Sequence, residues 1–256
     1  MKLERYYIKI WQHIINTSES NSNEMIQLFM LPYAGGDHAS FNKILPYLNK
    51  NIEPVTIEYS GRGNRRKETF IKEYQKFLDD ISVTINVLRR PDCPYALLGY
   101  SLGSAVVFDL LSKHRILGVP KHAFFCARGS LKVKTESQSY HLLSDTEFIK
   151  VIKDLGGIDD RILSNPRFLD IFMRPIKADY SIWGQYTHPD NNAKIPCNMS
   201  IIYSPQDPLS DNIEDWCEMT EKESHFYEIG NNHFFILQHY KELADIINRE
   251  LESYEI

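Results

Sequence analysis

A serine flanked by two glycines offers the clearest chemistry in this 256-residue sequence. Residues 99–103 read Gly-Tyr-Ser-Leu-Gly, after an apolar run at 95–98 and before a helix-forming run at 104–111. A Gly-x-Ser-x-Gly turn between a buried strand and a helix is typical of a nucleophile elbow, which exposes the serine hydroxyl at the carboxyl end of the strand. The pattern therefore predicts a nucleophilic Ser101. The alternative is an ordinary Gly/Ser turn between a strand and a helix.

An activated serine of this kind needs a carboxylate and a histidine that follow it in the chain, each just past a strand. Asp207 lies in the turn after the apolar run 198–203, and His233 follows a Gly-Asn-Asn loop after the run 226–229. In such a set the histidine takes the serine proton, and the acid fixes the tautomer of the imidazole. The alternative for Asp207 is a cap of the following turn or helix.

Two backbone amides are candidates for stabilising the oxyanion that a serine attack would create. The apolar run 25–31 predicts an early strand, and the loop that leaves it reads Pro-Tyr-Ala-Gly-Gly-Asp at 32–37. A glycine-rich loop after an early strand can turn an amide toward the elbow. We therefore expect the amides of Ala34 and Leu102 to form an oxyanion hole, although a plain turn is the alternative for the loop.

Alternating apolar runs predict the elements that must position these groups. Strands are expected near residues 25–31, 52–59, 95–100, 121–127, 199–204 and 225–230. Helices are expected near residues 70–89, 102–113, 211–219 and 236–253. Strands that alternate with helices, joined by right-handed crossovers, give a mostly parallel twisted sheet with helices on both faces. The fold class is therefore α/β.

Residues 131–194 interrupt this alternation and carry no strand-like run. Residues 144–147 read Ser-Asp-Thr-Glu, a capping box that opens a helix, and Leu-Gly-Gly at 155–157 closes it. A second helical stretch covers 168–173, and the aromatic residues of 180–186 are expected after it. We expect an inserted helical lid over the elbow, with some apolar side chains lining an acyl entrance. The alternative is that its aromatic residues form only a small core of their own.

Several short motifs together resemble a known family. They are Leu-Pro-Tyr-Ala-Gly-Gly at 31–36, Gly-Arg-Gly-x-Arg at 61–65, Gly-Tyr-Ser-Leu-Gly at 99–103, Leu-Ser-Asp-x-x-Phe at 143–148, Leu-Gly-Gly at 155–157, Arg-Pro-x-x-Ala-Asp-Tyr at 174–180, Asp-Pro at 207–208 and His-Phe-Phe at 233–235. Over about residues 25–250 the chain resembles the type II thioesterases, which are stand-alone editing hydrolases of nonribosomal peptide and polyketide synthesis with the α/β-hydrolase fold. The resemblance places the nucleophile, acid and base on Ser101, Asp207 and His233, and the oxyanion donors on Ala34 and Leu102.

The resemblance implies hydrolysis of acyl or aminoacyl thioesters on the phosphopantetheine arm of carrier proteins, by covalent Ser-His-Asp catalysis. The partners would be acyl or peptidyl carrier protein domains, and the enzyme would need no cofactor of its own. Two positions depart from the family, which usually has proline at the position of Ser60 and glycine at that of Asn232. The alternatives are a small-molecule carboxylesterase and a non-catalytic module that binds carrier proteins.

Composition and the chain ends limit the remaining possibilities. A net charge of −5 argues against a nucleic-acid partner, and the length and 43% hydrophobic content fit one globular domain. The four cysteines have no metal-ligand or Cys-x-x-Cys spacing, so we expect reduced core thiols. Residues 1–24 form an extension with one apolar helical stripe and no membrane span or signal peptide. We expect a cytoplasmic monomer.

A basic run at residues 62–67 allows two interpretations. Arg62, Arg65, Arg66 and Lys67 fall within six positions. They are candidates for binding a phosphate near the pantetheine arm. Charge runs are more often exposed faces, so a solvated loop is the alternative.

Overall fold

A single parallel sheet forms the centre of the protein. The structure is a computed structural model that describes residues 25–156, 165–190 and 192–252. The strands are β1 (Ile26–Leu31), β2 (Ile52–Thr56), β3 (Tyr95–Tyr100), β4 (His122–Cys126), β5 (Asn198–Tyr203) and β6 (Ser224–Glu228). They pair in parallel throughout, in the order β2-β1-β3-β4-β5-β6. The predicted N-terminal extension and its apolar stripe lie outside the described residues.

Helices cover both faces of this sheet. The α-helices are α1 (Tyr74–Leu88), α2 (Leu102–Ser112), α3 (Asp145–Asp154), α4 (Pro166–Trp183) and α5 (Tyr240–Glu252). Short 3-10 helices occupy Leu45–Tyr47, Gly63–Arg65, Glu136–Leu142, Ile213–Glu218 and Phe235–Leu237. Buried side chains of α1 and α2 pack on one face of the sheet, and those of α5 pack on the other. The predicted doubly covered parallel sheet is confirmed.

The helix predicted at 211–219 is instead a 3-10 helix at Ile213–Glu218. Within it only Trp216 is buried, against the rings of Phe108 and Phe125. The partly buried Ile213, Trp216 and the buried Met219 are three residues apart, so they lie on one side of a 3-10 helix, which has three residues per turn. The predicted last helix also begins with a separate 3-10 turn, Phe235–Leu237, before α5.

The helix α4 is longer than the sequence suggested. The prediction placed Tyr180 and Trp183 after the helix, but both lie within it. An internal proline removes a helix hydrogen bond and costs about 3 kcal/mol, so Pro175 favoured an early end. The side chains of Met173, Ile176, Tyr180 and Trp183 are all buried and continue one apolar stripe past the proline. The free energy gained by burying these side chains outweighs the cost of the internal proline.

The cysteines follow the prediction in part. Cys93, Cys126 and Cys197 are buried and free, as core thiols would be, whereas Cys217 is free and exposed. The prediction of a core position was therefore wrong for Cys217, which lies on the outer side of the 3-10 helix around Trp216. Among the helices of the described ranges, none combines the length and hydropathy that crossing a lipid bilayer would require.

One buried histidine should make folding sensitive to acid. His122, at the start of β4, is fully buried with its Nε2 2.8 Å from the Ser200 hydroxyl, and burial lowers its pKa to about 4. An exposed histidine titrates near 6.5, so the unfolded chain binds this proton first and the folded state loses stability as the pH falls from about 6.5 to about 4. The loss from His122 should reach about 3 kcal/mol.

Urea unfolding of the wild type and of His122→Gln at several pH values measures this contribution. All other groups titrate in both proteins, so the difference between their free energies of unfolding isolates His122. We expect this difference to be constant above pH 7 and to shift in favour of the variant below it. Parallel curves from pH 7 to pH 4 would contradict the assignment.

Candidate active site

The strained backbone of Ser101 marks the candidate site. Ser101 joins β3 to α2 with φ 54° and ψ −108°, a conformation that costs a non-glycine residue roughly 1–3 kcal/mol. Neighbouring groups hold it there, because its amide donates to the Cys126 carbonyl (2.8 Å) and the Arg128 side chain donates to its carbonyl (3.4 Å). This is the geometry expected of a nucleophile elbow.

The close approach of β1 to α2 requires glycine at position 103. A Cβ at Gly103 would lie 2.1 Å from the Leu31 carbonyl oxygen, and a Cβ at Gly99 would lie 2.4 Å from the Gly103 backbone. Neither obstacle is a flexible side chain, so the backbone itself would have to move. The two glycines of the motif therefore let the serine turn fit against the sheet.

We expect Gly103→Ala to destabilise the protein by about 3 kcal/mol, at the upper end of overpacking effects, and to lower activity through the distorted elbow. Gly156→Ala is the matched control, because among the described residues, its chain neighbours aside, no atom lies within 4 Å of its added Cβ, and its positive φ of 83° is the obstacle that the structure shows there. That strain costs about 1 kcal/mol. Thermal unfolding compares the two variants, and equal losses would contradict the close-approach argument.

The structure brings Asp207 and His233 together. His233 Nδ1 lies 2.7 Å from Asp207 Oδ2, and both side chains are buried. The Leu209 amide donates to Asp207 Oδ1 at 2.9 Å, and the Ser210 hydroxyl donates to Oδ2 at 3.2 Å. With the carboxylate fixed in this way, Nδ1 carries the proton and Nε2 is the basic nitrogen.

A second group of contacts fixes the loop that carries His233. The Tyr100 hydroxyl, one residue before the serine, donates to the His233 carbonyl at 2.7 Å. Asn232 Oδ1 accepts the Phe234 amide at 2.9 Å, so the departure from the family's glycine adds a local hydrogen bond. The Phe234 ring packs edge-on against Tyr33, 5.0 Å between centroids. The sequence made His233 a candidate base but did not indicate these contacts.

The two predicted oxyanion donors lie on the elements expected for them. Ala34 occupies a tight turn after β1, closed by a 2.9 Å hydrogen bond from the Gly36 amide to the Tyr33 carbonyl. Leu102 is the first residue of α2, where the amide has no partner within the helix. The positive end of the α2 dipole lies beside Ser101.

A cavity of about 990 Å³ joins these groups to the helical segment between β4 and β5. Ser101, His233 and Ala34 contribute to its lining. Apolar side chains of α4 and of the segment beginning at α3 contribute as well, namely Ile152, Leu155, Ile171, Phe172, Ile176 and Tyr180. The expectation that the inserted segment supplies apolar side chains beside the elbow is confirmed, and a pocket of this size holds a small organic ligand.

Two arginines of the basic run at residues 62–67 form ion pairs inside the protein, which neither the phosphate-binding nor the solvated-loop interpretation predicted. Arg62 and Arg65 are buried and form bidentate ion pairs, Arg62 with Asp179 and Arg65 with Asp80. Both Nη atoms of Arg62 and all three guanidinium nitrogens of Arg65 donate to protein carboxylates, so these two side chains are internal ion-pair partners and not part of a solvated loop. Arg62 Nε is buried without a hydrogen-bond partner among the described residues. Arg66 and Lys67 are exposed, as a solvated loop predicts.

Tertiary contacts also identify two residues that sequence reasoning missed. Arg128 is buried with its guanidinium 4.3 Å from the centroid of the Trp183 ring, and desolvation lowers its pKa. Asp179 is fully buried on α4 and accepts the Gly35 amide at 2.7 Å. The signal in the sequence that could have identified Asp179 is its place in the Arg-Pro-x-x-Ala-Asp-Tyr motif at 174–180.

Comparisons with known proteins show which family the chain belongs to. The Thioesterase domain model matches residues 26–251. The gramicidin S biosynthesis protein GrsT of Aneurinibacillus migulanus is 28% identical, over 90% of this chain and 91% of GrsT. The crystal structure of ClbQ, from the colibactin NRPS/PKS pathway, superimposes with a TM-score of 0.80 at 27% identity, over 90% of this chain and 98% of ClbQ.

The type II thioesterase BorB, from the borrelidin biosynthetic cluster, shares the fold with a TM-score of 0.73 at 21% identity, over 89% of this chain and 92% of BorB. The residues that the Thioesterase domain model matches include the sheet, the elbow and the segment between β4 and β5. The chain therefore belongs to the thioesterase domain family of α/β-hydrolase enzymes and is related to the type II thioesterases of nonribosomal peptide and polyketide pathways.

Proposed function

We propose that this protein hydrolyses acyl or aminoacyl thioesters carried on the phosphopantetheine arm of carrier proteins, and so edits or releases chains in nonribosomal peptide or polyketide synthesis. The observation that carries the proposal is the buried 2.7 Å pair of His233 and Asp207, whose histidine lines the same cavity as Ser101. Membership in the thioesterase domain family makes a thioester the expected substrate.

In the first half-reaction Ser101 attacks the thioester carbonyl. His233 Nε2 accepts the hydroxyl proton as the bond from Oγ to the carbonyl carbon forms, and Asp207 stabilises the resulting imidazolium. The amides of Ala34 and Leu102 stabilise the negative charge on the carbonyl oxygen. The carbon–sulfur bond then breaks, His233 protonates the departing pantetheine thiolate, and an acyl ester of Ser101 remains.

The second half-reaction uses the same groups on water. His233 accepts a proton from water as its oxygen attacks the acyl-serine carbonyl, and the same two amides stabilise the second oxyanion. The bond to Ser101 Oγ breaks, His233 returns the proton to the serine, and the free acid leaves. The enzyme needs no cofactor for either step.

The cavity and its apolar wall support an acyl substrate. Ile152, Phe172 and Ile176 come from the helices between β4 and β5, and Ser101 lines the same cavity. We propose that residues 131–194 are a lid of one α/β-hydrolase domain and that the acyl chain packs against these side chains. Their apolar surface favours hydrocarbon groups over water.

A panel of loaded carrier proteins tests the proposal. One carrier protein is loaded with several acyl and aminoacyl groups, and release of each acid is followed with the wild type and with Ser101→Ala. We expect Ser101-dependent release, faster than hydrolysis of p-nitrophenyl esters that carry the same acyl groups. Faster hydrolysis of the aryl esters would instead indicate a small-molecule carboxylesterase, and binding without Ser101-dependent release would indicate a non-catalytic binding module.

A further inference from the structure

A buried carboxylate on α4 joins the helical segment to the loop that carries Ala34. Asp179 has no exposed surface, and its two oxygens accept a bidentate pair from Arg62 at 2.5 and 2.6 Å. Oδ2 also accepts the amide of Gly35 at 2.7 Å. One side chain therefore binds α4 both to the arginine of the Gly-Arg-Gly loop and to the residue that follows the proposed oxyanion donor.

Two further hydrogen bonds hold the loop of residues 32–37 at other points. Arg62 Nη1 donates to the Gly36 carbonyl at 3.2 Å, and the Tyr59 hydroxyl donates to the Pro32 carbonyl at 2.9 Å. The guanidinium of Arg62 lies 5.4 Å from the centroid of the Tyr59 ring. The loop is thus held at Pro32, Gly35 and Gly36, on both sides of Ala34.

The same face of α4 also contacts this loop by packing. Gly35 has a φ of 84°, and a Cβ there would lie 2.3 Å from Ile176 Cγ1. Ile176 precedes Asp179 by one helical turn, so the two side chains lie on one face of α4. Ile176 therefore leaves no space for a side chain at position 35. A change in the position of α4 would therefore move the turn that carries Ala34.

We propose that Asp179 is a positioning residue for catalysis, which holds the amide of Ala34 in the orientation that stabilises the oxyanion. This inference rests on the proposed function, because it assigns a role only if Ser101 attacks a carbonyl. An oxyanion donor acts through its fixed position, and removing one costs about 10²–10³ in kcat. Asp179 and Arg62 would fix the position of Ala34 through their hydrogen bonds to Gly35 and Gly36.

The test is Asp179→Asn. An asparagine replaces one carboxylate oxygen by an NH₂ group, and because Arg62 donates to both oxygens, that group faces a donor of Arg62 in either orientation and the pair that holds the loop is broken. We expect kcat to fall about 100-fold on p-nitrophenyl butyrate while KM changes less than threefold. The inhibition constant of an alkyl trifluoromethyl ketone, which forms an oxyanion with the serine, should rise by the same factor as kcat/KM falls.

Asp80→Asn is the matched control. Asp80 forms the same bidentate pair with Arg65, three residues from Arg62, at 2.7 and 2.8 Å. Its contacts in the described structure do not include residues 32–37. We expect Asp80→Asn to lower the melting temperature while kcat and the inhibition constant of the ketone stay within threefold of the wild type. Arg62→Lys, which keeps the charge but loses the bidentate geometry, replaces Asp179→Asn if that variant does not fold, and should show the same parallel losses.

The possible outcomes are distinct. Parallel losses of kcat/KM and ketone affinity in the Asp179 or Arg62 variant, but not in Asp80→Asn, would support the inference. A lower melting temperature with unchanged kcat and ketone affinity would show that Asp179 has only a structural role and would overturn the inference. Equal catalytic losses in Asp80→Asn would also overturn the inference. Absence of Ser101-dependent turnover in the wild type would overturn the proposed function together with this inference.

Discussion

Replacing Ser101 by alanine should lower kcat on a carrier-bound thioester by about 10⁶, because removing the nucleophile from a serine, histidine and acid that act as a unit abolishes their joint contribution. The fold should tolerate the change. The hydrogen bonds that hold the turn use the backbone amide and carbonyl of residue 101, and alanine keeps both. Release of acid from a loaded carrier protein and thermal unfolding measure the two quantities.

Ser104→Ala is the matched control three residues along the chain, and it should lower stability more than activity. The Ser104 hydroxyl is buried and donates to the Gly99 and Cys126 carbonyls at 2.8 and 2.9 Å. Its loss should cost about 1 kcal/mol of stability and less than tenfold in kcat. If Ser101→Ala retained more than a tenth of the wild-type rate, Ser101 would not be the nucleophile.

Asp207→Asn should lower kcat by about 10⁴, through the tautomer of His233 rather than through lost structure. The Leu209 amide donates to Oδ1 at 2.9 Å, so the asparagine places its oxygen there and turns its NH₂ group toward His233 Nδ1. Nδ1 must then accept a hydrogen bond, which puts the imidazole proton on Nε2. A protonated Nε2 cannot take the proton of Ser101.

Turnover of the same thioester by Asp207→Asn and by Asp211→Asn measures this effect. Asp211 is exposed on the same loop, so its substitution makes the same change of charge without touching His233. We expect Asp211→Asn to stay within threefold of the wild-type rate. Comparable rates for Asp207→Asn and Asp211→Asn would show that Asp207 does not orient the histidine.

Local sequence patterns determined the elements that hold the candidate groups. The strands at 26–31 and 95–100 were predicted within a residue, because each is a short and mainly apolar run, as is typical of a buried parallel strand, with Gln27 as the polar exception. Ser144 and Glu147 form the predicted capping box at the start of α3. Gly99 signalled the elbow because its obstacle, the backbone of Gly103, lies four residues along the chain. The obstacle that requires glycine at position 103 is the Leu31 carbonyl of β1, a contact that only the fold creates.

Only the tertiary structure decided how distant polar groups pair. Arg62 and Asp179 are 117 residues apart, and neither local sequence indicates the other as a partner, yet they form a buried ion pair. The extension of α4 past Pro175 is likewise a consequence of burial. Hydrophobic periodicity is a local property that the sequence displays directly, whereas the partner of a charged side chain depends on which segments the completed fold brings together.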